Sequence, residues 1–137
     1  VLDEARAADA RIARGEARAL EGVPLGVKDL EDVEGMVTSL GSVPFKDNMA
    51  HRDSLQTERL RAAGAIVVGK TNTPEFGLSG TTENKLGDPC RNPWNTERTP
   101  GGSRGGAASS LAAGLCTIST GSDGGGSSSR SQPPLRP

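Results

Sequence analysis

The sequence has few of the residue types on which several common chemistries depend. Its 137 residues include one histidine, two cysteines, no tyrosine and only 2% aromatic residues. The single histidine, His51, lies in a polar stretch, so a Ser-His-Asp triad has no convincing parts in this chain. Cys90 and Cys116 have neither a CxxC nor a metal-ligand spacing, and we expect ordinary reduced thiols rather than a metal site.

The chain also lacks a strong charge and a long apolar run. Its formal net charge is −1, and basic residues alternate with acidic ones, which is unlike the basic patch of a nucleic-acid binder. No apolar stretch approaches the roughly 20 residues needed to span a bilayer. We therefore expect neither nucleic acid nor membrane as a partner, and a cytoplasmic location. Only 33% of residues are hydrophobic, which predicts a thin core.

The pattern of apolar and turn residues predicts an α/β fold. The predicted helices cover residues 1–18, 54–63 and 104–113, and the predicted strands cover residues 22–29, 65–69 and 115–120. We expect Asp53 to cap the second helix and Leu55 and Leu60 to face inward from it. The continuous apolar run at 65–69 is typical of a strand covered by helices on both faces.

Residues 70–100 show no periodicity and many turn residues, which predicts a long functional loop. Within it we expect Trp94 to be a packing anchor.

Two glycine-rich loops, PGGSRGG at 100–106 and GSDGGGS at 121–127, flank the last helix and strand. Backbone N–H groups in such turns can hold an oxyanion, and Ser127 could be a nucleophile. That the two loops are flexible linkers is a weaker interpretation, because the segment between them is predicted to form a helix and a strand with recognisable end residues. Phosphate binding is weaker still, since neither loop ends in Gly-Lys-Ser/Thr.

A nucleophilic serine needs a base, and Lys28 is the best candidate in the chain. It lies in the apolar sequence GVPLGVKD at 22–29. Burial there would disfavour the ammonium form and lower the pKa of Lys28, so that a neutral amine could accept a proton.

Taken together, five motifs closely resemble the amidase signature family in composition and order. They are GVPLGVKD (22–29), KTNTPEFG (70–77), RNPWN (91–95), PGGSRGG (100–106) and GSDGGGS (121–127). The resemblance covers most of residues 22–127 and implies an α/β fold with a mixed sheet flanked by helices on both faces. We expect residues 1–137 to form part of one such domain, with residues 128–137 departing from the family pattern.

The resemblance also implies the site and its chemistry. Ser127 would be the nucleophile, Ser103 the bridging serine after a cis peptide bond, and Lys28 the base. The backbone N–H groups of Gly124, Gly125 and Gly126 would hold the oxyanion, and the wall beside the substrate acyl group would be formed by Gly77 and Ser79. The implied reaction is hydrolysis of a small-molecule amide through an acyl-serine. It needs no cofactor or metal, and a homodimer is left open.

This sequence departs from the family pattern at two places. Arg104 stands where the family commonly has a second serine, and an unpaired guanidinium there would oppose protonation of Lys28. After Ser127 the sequence runs out of register with the family, whose members are several times longer. We therefore expect that the isolated fragment is poorly folded and inactive. There are two alternatives: the chain is a catalytically incompetent fragment, or it belongs to a glutamine-dependent amidotransferase subunit.

Overall fold

The secondary structure alternates helices and strands in a computed structural model that describes residues 1–122. The helices are α1 (Leu2–Ala13), α2 (Leu55–Ala62) and α3 (Gly105–Ala112), and the strands are β1 (Pro24–Lys28), β2 (Ile66–Thr71) and β3 (Ile118–Ser119). Two single 3-10 turns, Val43–Phe45 and Glu75–Gly77, lie in the connecting segments. The α/β class and the order of elements predicted from the sequence are confirmed.

The three strands form one sheet in the order β2-β1-β3, so the first strand of the chain is central. Both pairings are parallel, with Val27 opposite Lys70 and Leu25 opposite Ile118. The mixed character expected of the sheet is therefore not seen in the described part of the chain, where neighbouring strands all run in one direction. Parallel strands bring their carboxyl ends to a single edge, and Lys28 ends β1 there.

Alternation along β1 gives the sheet two different faces. Leu25 and Val27 point to an apolar face, where they form a core with Val33, Ala65 and Val67, and Leu60 of α2 packs against it. Gly26 and Lys28 point to the opposite face. There an added Cβ at Gly26 would lie 2.9 Å from Thr71 Cγ2 and 3.0 Å from Ser119 Oγ, so the central strand has no room for a side chain at this position.

Helix α3 covers this second face and approaches the sheet closely because its first turn is built from small residues. Gly106 is buried, and a Cβ added to it would lie 2.3 Å from the backbone nitrogen of Asn72, just after β2. Ser110 Oγ, one turn further along α3, accepts a hydrogen bond from Cys116 Sγ at 3.3 Å. Helices therefore lie on both faces of the sheet, as the sequence predicts.

Three local expectations are wrong. Leu55 is 62% exposed rather than inward-facing, and Trp94 is 68% exposed rather than a packing anchor. Ser54, not Asp53, caps α2, where its side chain accepts the N–H of Thr57. The Asp53 carboxylate instead accepts the N–H of Glu34 at 2.7 Å and pairs with Arg61 of α2 at 3.3 Å, so it joins a loop to the helix without capping it.

The end of α1 and the burial of β2, which the sequence predicts to be covered on both faces, also differ from the expectation. Helix α1 ends at Ala13 rather than near residue 18, and Gly15 follows with a φ of 74°, in the left-handed region that ends helices. Strand β2 is an edge strand of the described sheet, and Val68 on it is 40% exposed. None of the helices in residues 1–122 is long and apolar enough to cross a membrane.

We predict that Gly106→Ala destabilises the fold by about 1–3 kcal/mol, the usual cost of overpacking, because the new methyl group meets the Asn72 backbone, which cannot rotate away. Gly69→Ala is the matched control, since nothing lies within 4 Å of the position of its added Cβ. Denaturant midpoints of the two variants would measure the difference. Equal midpoints would contradict the close packing of α3 on the sheet.

Candidate active site

Lys28 ends the central strand, and its side chain is buried although it carries an amine. Only 2% of its surface is exposed. Its backbone N–H donates to Thr120 Oγ1 at 2.8 Å, which fastens the end of β1 to the segment after β3. The amine thus lies at the edge where the carboxyl ends of the strands meet, which is the usual ligand-binding edge in α/β sheets.

Two serine hydroxyls contact the Lys28 amine. Nζ donates to Ser103 Oγ at 2.8 Å and to Ser122 Oγ at 3.0 Å. Ser103 precedes α3 and Ser122 follows β3, so each of the two glycine-rich loops supplies one hydroxyl. These contacts compensate the amine for part of the hydration that it loses on burial.

A second lysine nearby has a different environment. Lys70, in β2, forms an ion pair with Asp29 at 2.9 Å, and its Nζ also donates to Thr38 Oγ1 at 3.0 Å. Asp29 is further bound by the backbone and hydroxyl of Ser39. Lys28, by contrast, has no carboxylate within 4.0 Å among residues 1–122. Of the two lysines, Lys28 is therefore the one whose charge no carboxylate of residues 1–122 balances at ion-pair distance.

The surroundings of Lys28 lower its pKa from the usual value. Burial is the largest cause, because it removes water from the ammonium form, and the positive charge of Arg104 acts in the same direction. The carboxylate of Glu31 opposes both by favouring the ammonium. The net effect is that the neutral amine is populated at lower pH than in an exposed lysine, as a general base requires.

The loop that carries Ser103 is held on both sides by one buried threonine. Thr82 is 1% exposed; its Oγ1 donates to the carbonyl of Gly101 at 2.7 Å and accepts the N–H of Gly105 at 2.9 Å. The peptide bond between Gly102 and Ser103 is cis, in agreement with the geometry that the family resemblance implies. Thr82 therefore fixes the positions of the residues on either side of Ser103.

The structure brings Gly77 and Ser79 close to the Ser103 loop. A Cβ added to Gly77 would lie 3.8 Å from Ser103 Oγ, and one added to Gly102 would lie 2.8 Å from the carbonyl oxygen of Ser79. The φ angles of Phe76 (50°) and Gly77 (72°) are both positive. Such a conformation is costly for phenylalanine, and residues held in it are common near functional sites.

Four of the residues expected in the site lie outside the described residues, and a fifth contributes only its backbone. Ser127 and the three glycines of the expected oxyanion site, Gly124, Gly125 and Gly126, belong to the undescribed part of the chain. Gly77 lies near Ser103 but has no side chain to offer. For residues 1–122, there is no group of three or more histidine, cysteine, aspartate or glutamate side chains that could hold a metal ion.

Ser122 and Thr82 are site residues that were not expected from the sequence. Ser122 lies within a recognised motif, and its position two residues after a predicted strand end could have indicated a side chain at the ligand-binding edge. Thr82 has no local signal, because it lies in the long loop and its partners Gly101 and Gly105 are 19 and 23 residues away. Only the folded chain shows its role.

The chain is similar in sequence to known amidotransferase subunits. The chain is 51% identical over 124 residues to a glutamyl-tRNA(Gln) amidotransferase subunit of Anaeromyxobacter sp. (strain K), and 47% identical over 126 residues to the corresponding subunit of Aromatoleum aromaticum. These matches cover 90% and 92% of this chain but 25% and 26% of the relatives. The chain therefore spans about a quarter of the length of the curated relatives it matches.

The solved structures that this chain resembles include a peptide amidase and an amidotransferase subunit. A peptide amidase in complex with chymostatin matches with a TM-score of 0.83 at 34% identity, over 91% of this chain and 27% of that one. The glutamyl-tRNA(Gln) amidotransferase subunit of Thermotoga maritima matches with a TM-score of 0.77 at 38% identity, over 82% and 25%. The family model described as Amidase matches residues 1–129, and the chain belongs to this amidase signature family.

Proposed function

We propose that this chain carries the catalytic lysine, bridging serine and nucleophilic serine of an enzyme that hydrolyses carbon-nitrogen bonds in amides. The observation that carries the proposal is the 2.8 Å contact between Ser103 Oγ and the amine of Lys28, which is 2% exposed. A buried amine with a lowered pKa and a hydroxyl in contact is the arrangement that proton transfer through a serine requires.

In the proposed reaction, Ser127 attacks the amide carbonyl and forms a bond to its carbon. The proton of Ser127 passes to Ser103, and the proton of Ser103 passes to neutral Lys28. As the carbon-nitrogen bond breaks, the proton returns from Lys28 by the same route to the leaving nitrogen. The N–H groups of Gly124, Gly125 and Gly126 stabilise the oxyanion. Water then hydrolyses the acyl-serine to a carboxylate.

In this reaction Ser122 stabilises the protonated form of Lys28. A neutral amine has two N–H groups and one lone pair, so an N–H donated to Ser122 Oγ leaves the lone pair available to the hydroxyl of Ser103. When Lys28 becomes an ammonium, the hydrogen bond to Ser122 strengthens because the donor is now charged. Ser122 therefore stabilises the proton-transfer product more than the starting state, and this difference accelerates the reaction.

The second candidate function is that of an amidotransferase subunit, which would release ammonia from glutamine for a partner. The identity of 51% to a glutamyl-tRNA(Gln) amidotransferase subunit favours it, and by analogy the partners would be the other subunits of such an enzyme. Both functions use the same acyl-serine, so the described site serves either. Glutaminase activity that requires partner subunits together with an acylated transfer RNA would support this candidate over a stand-alone amidase.

We further propose that the 137 residues alone do not turn over amides, since the chain spans only about a quarter of the relatives it matches. The tests below therefore use a chimera in which residues 1–129 replace the matching segment of the Thermotoga maritima amidotransferase subunit. Turnover of a simple aromatic amide by the isolated chain would contradict this part of the proposal.

We predict that a fluorophosphonate probe labels the chimera and that Ser127→Ala abolishes labelling. Lys28→Ala should slow labelling about 10²–10⁴-fold, the usual contribution of a general base. Ser128→Ala and Ser129→Ala are matched controls, because they remove the two hydroxyls that directly follow Ser127 in the sequence. Labelling that survives in Ser127→Ala would end the assignment of the nucleophile.

The labelling rate should rise with pH as Lys28 loses its proton, because only the neutral amine is a base. Since burial and Arg104 lower the pKa of Lys28, the midpoint of the rise should lie below the value of about 10.4 that is usual for lysine. The residual rate of Lys28→Ala should lack this ionisation. A midpoint at or above the usual value would contradict the role of burial.

Ser122→Ala should slow labelling by about tenfold or more, as expected for the loss of a hydrogen bond to a charged group. Ser122→Thr keeps the hydroxyl and should retain most of the rate. If Ser122 only supported the loop, keeping the hydroxyl would not separate the two variants in this way. Rates measured at saturating probe compare the two. Equal rates in Ser122→Ala and the parent would contradict the proposed role.

A further inference from the structure

We propose that Arg104 forms a carboxylate-binding subsite beside the lysine and serine pair, so that the site prefers amides that carry an acidic group near the scissile bond. Arg104 directly follows Ser103 and is the N-cap residue of α3. Its backbone is therefore held by the same loop that positions Ser103. The role in substrate choice rests on the proposed function, whereas carboxylate binding itself does not.

The arginine side chain lies between the two glycine-rich loops. A Cβ added to Gly121 would lie 2.6 Å from Cδ and 3.4 Å from Nη1 of Arg104, so the side chain crosses the Gly121 backbone in close contact. Gly121 immediately precedes Ser122, whose hydroxyl contacts the Lys28 amine. The glycine thus makes room for the Arg104 side chain, one residue before the serine that contacts the amine.

Arg104 is unusual among the arginines of residues 1–122. Three of them, Arg11, Arg61 and Arg104, are partly buried. Arg11 pairs with Glu21 at 2.8 Å and Arg61 pairs with Asp53 at 3.3 Å. Within the same described range, no carboxylate lies within 4.0 Å of Arg104. A partly buried cation without an anion is costly, and a bound anion would relieve the cost.

The charges around the amine favour the same ligand. Arg104 and the ammonium form of Lys28 repel each other, whereas the carboxylate of Glu31, among residues 1–122, favours the ammonium. A carboxylate bound at Arg104 would be a second negative charge that favours the ammonium form of Lys28. The guanidinium presents a planar fork of donors that matches a carboxylate, so the bound group would also be oriented.

Binding and proton uptake are then coupled in both directions. A carboxylate at Arg104 raises the pKa of Lys28, and protonation of Lys28 tightens carboxylate binding by the same factor. The acidic substrate group would therefore stabilise the ammonium that forms when Lys28 accepts the proton.

The test uses succinamate, an amide with a carboxylate, and succinamide, its neutral counterpart. In the chimera with Ser127→Ala, each probe is titrated while the ¹³Cε resonance of Lys28 reports binding and pKa. Succinamate should bind at least about tenfold more tightly than succinamide and should raise the pKa of Lys28. Arg104→Gln should abolish both effects, and Arg104→Lys should retain part of the preference.

Arg98→Gln is the matched control, because Arg98 is an exposed arginine in the segment before the same loop and should leave the preference unchanged. Equal binding of the two probes, or a preference that persists in Arg104→Gln, would overturn the subsite. Probe labelling of the chimera reports separately on the proposed function, since the fluorophosphonate is uncharged. Loss of labelling with carboxylate binding intact would overturn the hydrolase and leave the subsite standing.

Discussion

A buried lysine amine contacts two serine hydroxyls, and the rest of the described structure holds these three groups together. An amine that is 2% exposed has lost nearly all of its water, and within residues 1–122 it has no carboxylate to replace it. Hydroxyls can satisfy the amine in either protonation state, because they both donate and accept. A carboxylate in their place would favour the ammonium and weaken the base. Within the described residues, Lys28 thus has hydroxyl partners where Lys70 has a carboxylate, and this difference keeps the amine of Lys28 easier to deprotonate.

Holding these three groups together requires segments that are far apart in the sequence. Ser103 and Ser122 are 75 and 94 residues from Lys28. The parallel order β2-β1-β3 brings the end of β1 next to the end of β3. Helix α3 can approach the sheet because Gly106 lies directly on the Asn72 backbone. Small residues and buried hydroxyls, rather than a large apolar core, therefore determine the geometry of this part of the molecule.

Arg104 shows how a single substitution can change a site while its framework is kept. The family commonly has a small hydroxyl at this position, and here a long cation occupies it. The cation lowers the pKa of Lys28 and lies against the loop that carries Ser122. The same framework that holds a lysine and two serines thus acquires a charge that can select among substrates.

The sequence by itself determined the α/β class, the approximate positions of the strands and of α2 and α3, and the burial of Lys28. These follow from local patterns, because apolar periodicity, glycine stops and an apolar neighbourhood act over a few residues. It failed where contacts between distant segments decide: Trp94 and Leu55 are exposed, and Ser54 rather than Asp53 caps α2 because the Asp53 carboxylate binds the N–H of Glu34. Only the tertiary structure decided the strand order, the clamp by Thr82 and the second hydroxyl on the amine, since each joins residues whose separation along the chain leaves no local signal.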